Sequence, residues 1–225
     1  MKKKYLVLAG CLVFLYSTQA AAGEENFGFG LKAGSLGGGV ELTKLLTDDL
    51  VLRTGVNYLT FSIDSTISGI DYDMEATYKN GNLLLDWHPF SGSFRISGGV
   101  FLNGNEVDVD GAVPTDRIFA GYAYYVPQTD LLHVKGNVDF NSIAPYAGIG
   151  WKSNHGESGW GLACELGVLF QGSAQVSDLY VQSPVDVNKI EIVQDFLDEQ
   201  KKAIEDDLDD YQYYPVASIM LMYNF

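Results

Sequence analysis

Cysteine, basic residues and long apolar runs are all scarce in this chain, and each scarcity removes a class of protein. The 225 residues hold two cysteines, Cys11 and Cys164. If the amino-terminal segment is removed, as argued below, one thiol remains, which excludes an intramolecular disulfide and any cysteine-built metal site. Lysine and arginine number 14 against 29 acidic residues, a formal charge of −15. A surface of that sign repels polyanions, so nucleic acid is not an expected partner and an anionic membrane surface is not expected to be bound by charge attraction. No stretch reaches the roughly 20 consecutive apolar residues that a membrane-crossing helix needs. The nearest approach is the short run from Tyr5 to Tyr16.

That run follows Lys2, Lys3 and Lys4 and is followed by Ala20-Ala21-Ala22, the basic start, short apolar middle and small-residue end of a secretory signal. Residues 1–22 are therefore expected to be removed, and the mature chain, 23–225, to form one domain. Three lysines leave with the signal, taking the formal charge from −15 to −18. Leu8-Ala9-Gly10-Cys11 matches a lipoprotein processing box, but the apolar run continues through Leu12 to Tyr16 where a lipoprotein would turn polar, so cleavage after the alanines is the reading adopted.

What the chain has in abundance is glycine (25), tyrosine (14) and phenylalanine (12), a composition suited to turns, close strand contacts and interfacial rings. Stretches alternating at period two are separated by short turn clusters. They predict eight strands: Phe27 to Gly34, Gly38 to Leu46, Leu50 to Ile63, Ile70 to Trp87, Phe94 to Asp108, Ile143 to Trp151, Trp160 to Val176, and Tyr213 to Phe225. Phe119 to Val126 and Leu131 to Val138 are further β-prone pieces that would make an extra hairpin. Val187, Ile190, Val193, Leu197, Ala203, Ile204 and Leu208 recur instead at helical spacing, an amphipathic helix over 187–208 with Asp186 as its N-cap. The short turns at 47–49, 88–93 and 153–158 fall at one end; a single bent strand over Phe27 to Leu46 would invert that sidedness.

The last strand is the clearest. Phe225, Tyr223, Leu221, Ile219, Ala217, Pro215 and Tyr213 share one face, and smaller or more polar side chains share the other. Applied to every strand, the same alternation puts Lys32, Glu41, Arg53, Asp86, Arg95, Lys152 and Glu165 opposite the apolar face. An eight-stranded barrel is just wide enough to be filled by side chains, and ions buried there must pair. The set reads as a salt-bridged plug, with a narrow gated pore as the alternative. Trp87, Trp151, Trp160, Tyr58, Tyr213 and Tyr214 lie at strand ends and suit interfacial girdles. His155 with Glu157 and Ser158 is the one compact catalytic candidate, but adjacency in a turn does not make a triad, and no enzyme activity, catalytic residue or cofactor is assigned. Asn103 to Asp110 repeats oxygen-bearing side chains without the glycine and final glutamate of a calcium loop, so no metal site is assigned.

Taken together, the signal segment, the glycine-rich Lys32 to Leu42, Leu85-Asp86-Trp87-His88-Pro89-Phe90, Pro145 to Trp151 and the aromatic-ended Tyr213 to Phe225 resemble the small bacterial outer-membrane β-barrels of the OmpA/OmpW/OmpX type. The resemblance implies an all-β, antiparallel, up-and-down transmembrane barrel carrying one amphipathic helix in its last long loop. It implies the outer membrane as location, and a monomer whose partners are outer-membrane lipid and lipopolysaccharide. Phe225, Tyr223, Leu221 and Ile219 would be read by the barrel-assembly machinery and periplasmic chaperones. A role in envelope structure and surface interaction follows, with uptake of small solutes as the alternative.

Overall fold

The computed structural model describes residues 27–119, 131–153, 155, 157–183 and 186–225. The predicted signal segment, with its lipoprotein-like box at Cys11, lies outside them, as does all but Phe119 of the 119–126 piece. The described chain is all-β apart from its helices: β1 (Phe27–Gly34), β2 (Gly37–Thr47), β3 (Leu50–Ile67), β4 (Ile70–Trp87), β5 (Phe94–Asn103), β6 (Glu106–Pro114), a single turn α1 (Thr115–Ile118), β7 (Leu131–Asp139), β8 (Ile143–Lys152), β9 (Gly159–Phe170), β10 (Gln175–Gln182), α2 (Glu191–Leu208), a 3-10 turn (Asp209–Gln212) and β11 (Tyr213–Asn224). All pairings are antiparallel, in one sheet of eleven strands.

The sheet closes on itself. From β4 the pairings run through β3, β2, β1, β11, β9, β8 and β5 and return to β4, whose residues Asn80 to Trp87 pair with β5. Gly34 pairs with Gly37 across a tight turn, so Phe27 to Leu46 is a hairpin and not the single bent strand that would have inverted the topology. The start of β1 meets Phe225 where Phe225 N–H donates to Phe27 O, and the turns after β2, β4 and β8 share that end, called below the chain-end mouth.

Where eight strands were expected, the surplus arises at three places. The predicted Phe94 to Asp108 strand breaks at Gly104-Asn105; β5 stays in the ring while β6 crosses back to the far half of β4, pairing Asp71 to Ala112 and Thr77 to Glu106. The predicted Trp160 to Val176 strand breaks after Phe170, and β10 leaves the ring to pair with β7. β7 itself pairs with β6, so the extra hairpin is built from 106–114 and 131–139. The expected loop over 64–69 is instead a two-residue turn. Ser68 and Gly69 both take positive φ (50° and 71°), the geometry that matches strand twist in tight hairpins, and this lets β3 run on to Ile67.

The outer halves of β3 and β4 thus project beyond the ring and, with β6, β7 and β10, form an extension. Its inner face carries Ile70, Tyr72, Met74, Val109, Val113, Leu132 and Val134, onto which α2 lays Val193, Leu197 and Ile204. The helix begins at Glu191, with Ile190 at the N-cap position and no side-chain cap, so Asp186 is not the N-cap. Residues 187–190 are held out of the helix because Val187 is buried in this core and Asn188 is engaged with β10. Asn188 Nδ2 donates to Val181 O and its Oδ1 accepts from Val181 N, while Glu205 accepts from Val176 N; the free edge of β10 is occupied by side chains.

Candidate functional site in the barrel lumen

Alternation on the ring strands sends two kinds of residue to opposite sides. Outward lie apolar side chains such as Leu31, Leu42, Leu83, Ile96, Leu162 and Ile219, the last 68% exposed; inward lie Glu41 and Arg53, both 0% exposed. All seven charged residues predicted to face inward are buried. Six of them join in one network. Lys32 donates to Glu41 at 2.6 Å, and Arg53 reaches Glu41 through Nη1 (2.8 Å), Asp86 through Nε (3.1 Å) and Glu165 through Nη2 (2.6 Å). Arg95 pairs with Glu165 at 2.6 Å and with Asp86 at 3.5 Å. Lys152 stands apart, its Nζ donating to Asn224 Oδ1 at 3.2 Å toward the chain-end mouth.

Glu165 is held from a third side. Tyr146 donates its hydroxyl to Oε1 at 2.5 Å, its ring lying along the wall over Gly148 and Gly167. A Cβ on Gly167 would stand 2.3 Å from that hydroxyl oxygen, so the missing side chain makes room for the phenol. Ser97 adds a hydroxyl 3.3 Å from Arg53 Nη2.

Farther from the chain ends the lumen changes from ionic to carboxamide. Asn80 Nδ2 donates to Asn105 Oδ1, Asn105 Nδ2 to Gln171 Oε1, and Gln171 Nε2 to Tyr211 O, a relay from β4 across to the segment before β11. Asn57 and Asn82 lie on the same inner face, Asn57 directly opposite Asn80 in register. Beyond the relay begins the apolar core that includes Tyr78 and Tyr214, whose rings meet edge-on at 5.4 Å.

At the chain-end mouth the three short turns are tied together. The His88 and His155 rings stack at 3.7 Å; His155 Nε2 donates to Asp48 O and His88 Nδ1 to Gly92 O. His88 N–H donates to Asp49 O, and Ser91 donates to Asp49 Oδ1. Burial is the leading influence on His88 and, with the His155 ring beside it, holds its pKa below the ordinary histidine value despite the opposing Gly92 carbonyl.

No protein-family model matches the chain, and no curated protein does either. Solved structures do. The chain is similar to Acinetobacter baumannii CarO2 at 22% identity, with a TM-score of 0.57 over 88% of this chain and 98% of that one. It is similar also to Acinetobacter baumannii CarO at 20% identity, TM-score 0.54, over 88% and 97%. At that level of identity the likeness establishes the fold alone: an all-β antiparallel barrel.

The other sequence candidates fall as follows. Of the residues expected in aromatic girdles, Trp87, Trp151 and Trp160 are exposed on the outer wall toward the chain-end mouth, and Tyr58 and Tyr213 near the opposite rim. Tyr214 is a correction: it turns inward and donates to Ser35 O, because alternation places it opposite Tyr213. Phe225, Tyr223, Leu221 and Ile219 share the outward face of β11 and its end. The oxygens of 103–110 do not converge: Asn103 and Asn105 are buried inward, whereas Asp108 accepts from Asn137 and Asp110 pairs with His133 and Lys135 on the far side of β6. Among the described residues no group of three or more metal-ligating side chains gathers. Tyr146, Asn57, Asn80 and Asn82 were not singled out from sequence; Ser97 and Gln171 fall opposite the apolar face by alternation and Asn105 lies in the 103–110 run, but none was given a lumenal role. The period that found Arg53 and Asp86 also marks Asn57, four residues on, and Asn82, four residues before.

Proposed function

We propose that this protein is a bacterial outer-membrane barrel of the small OmpA/OmpW/OmpX type. In this reading a ring of eight strands spans the bilayer, the polar lumen is plugged, and the protein serves envelope structure and surface interaction. The single observation that carries this reading is the inversion of the ring: its fully buried residues include ions, and its exposed outer face is apolar. A water-soluble protein of this composition would arrange them the other way. From Trp160 to Phe170 the outer face of β9 covers roughly 25 Å at a tilt of about 40°, the height of the apolar band such barrels present to lipid. The extension and α2 then stand outside the cell, and the His88–His155 turns face the periplasm. Partners are outer-membrane lipid and lipopolysaccharide, with assembly machinery reading the outward β11 face that ends at Phe225. The protein acts as a monomer, without enzymatic activity or cofactor.

Cys164 supplies the test. It is exposed on the outer face of β9, and Cys11 belongs to the segment expected to be removed, so the purified mature chain carries one thiol. A nitroxide attached there, in protein refolded into phospholipid vesicles, should be relaxed strongly by dissolved oxygen and weakly by a water-soluble nickel chelate. The opposite order would place this wall in water and end the proposal. The second reading, a narrow channel for small solutes, is favoured by the polar groups that recur along the lumen from Lys152 through the ion network to Asn103, interspersed with Leu84, Phe101 and Met220. Planar-bilayer recordings separate the two: the plug predicts silence, the channel predicts unitary currents altered by Arg53→Met.

A further inference from the structure

Asn57, Asn80 and Asn82 occupy adjacent inward positions of β3 and β4, each at least 95% buried. Among the described residues, five of their amide atoms have no hydrogen-bond partner: both polar atoms of Asn57, both of Asn82, and Oδ1 of Asn80. Buried carboxamides are almost always satisfied, because leaving them dry forfeits their hydration with no return. Here the three lie within reach of one another and still do not pair. Asn57 instead lies back over Gly39, where a Cβ would come within 2.4 Å of its Oδ1. The group sits next to the ion network on one side and joins the carboxamide relay on the other through Asn80 Nδ2.

We infer that Asn57, Asn80 and Asn82 form a lumenal binding site for a small uncharged primary amide or urea. The free groups comprise amide N–H donors and carbonyl acceptors on neighbouring register positions, and a primary amide offers the complementary pair, so that two antiparallel N–H···O bonds can form as between any two carboxamides. Charge argues in the same direction. The neighbouring ions, Glu41 and Arg53, are already committed to each other at 2.8 Å, and a charged guest would be stripped of water beside a closed set of ion pairs. A neutral amide meets no such penalty.

The experiment follows the side-chain amide NMR signals of Asn57 and Asn82 in refolded full-length mature protein titrated with acetamide, with N,N-dimethylacetamide in parallel. Acetamide should shift both signals and saturate. Dimethylacetamide, which has no N–H to donate, should bind at least about tenfold more weakly, the equivalent of one lost hydrogen bond. In Asn82→Leu, the Asn57 signal should stop responding while the heat-modifiable gel migration of the folded barrel persists. Contact with water alone, or equal response to the two amides, overturns the inference, and the wild-type titration decides this even if the variant fails to fold. The site depends on the closed lumen and not on membrane placement, so a failed titration leaves the spin-label result at Cys164 standing, and the reverse holds too.

Discussion

Replacing Glu165 by leucine should be among the most damaging single changes available in this barrel, and its cost should fall when a second residue is removed. Glu165 Oε2 takes contacts of 2.6 Å from both Arg53 and Arg95, and Oε1 accepts the Tyr146 hydroxyl. At an effective dielectric near 20, each ion contact is worth about 6 kcal/mol before desolvation, and desolvation returns several kcal/mol per ion. Breaking such a buried set on one side strands the cations, for a net loss of about 3–5 kcal/mol. Arg95 has one other carboxylate partner, Asp86, at the looser distance of 3.5 Å, so Arg95→Met in the Glu165→Leu background removes a stranded charge and should recover about 1 kcal/mol or more. Urea titration of protein folded in phospholipid vesicles, read by tryptophan emission and by heat-modifiable migration, measures both. If Glu165→Leu costs less than about 1 kcal/mol and shows no coupling to Arg95, the network is hydrated and exchanging, and the plug argument fails.

Gly167→Ala should cost about 1–3 kcal/mol, since the new Cβ meets the Tyr146 hydroxyl at 2.3 Å and Ala147 O at 2.7 Å; the same urea titration should show a smaller cost in a Tyr146→Leu background, the remainder being the backbone contact with Ala147 O. Ile204→Ala, at a fully buried position of α2, should cost about 2–5 kcal/mol locally; limited proteolysis should cut the extension sooner while the heat-modifiable band of the ring persists, and loss of that band would show the two to be one cooperative unit. The depressed pKa of His88 means that an unfolded chain takes up a proton first as acid is added. Stability should therefore be flat above the ordinary histidine pKa of about 6.5, decline as pH falls from there to the folded value, and level off below it. Urea midpoints of wild type and His88→Phe across that range should diverge in that window alone.

The ring was legible in sequence because each of its strands has one apolar outward face and one face toward a polar lumen, so alternation records the barrel directly. That is why β1 and β4 carry the predicted limits and why Lys32, Glu41 and Arg53 could be placed inward from their neighbours alone. The extension was not legible, for a physical reason visible at Gly104-Asn105. Val107 and Val109 keep the alternation of β5, yet they face the core beneath α2, and period two does not record that a strand has exchanged partners. Phe170 and Val176 hide the break between β9 and β10 in the same way. The start of α2 was misplaced because Asp186 has the chemistry of a cap, whereas the burial of Val187 and the Asn188 bonds to Val181 are long-range facts. In the lumen, charge drew attention that neutral asparagine did not, although Asn57 and Asn82 lie on the same inner faces as Arg53 and Asp86.

β4 bonds to β5 along one half and to β6 along the other, with β3 following it throughout. It is a single continuous beam of 18 residues, about 60 Å long, rooted in the ring toward Trp87 and reaching the hairpin tip at Ile70. A load placed on the projecting tip is therefore not absorbed by a flexible tether. It passes along covalent backbone into the wall of the ring, so whatever grips this molecule from its far end pulls directly on the cylinder itself.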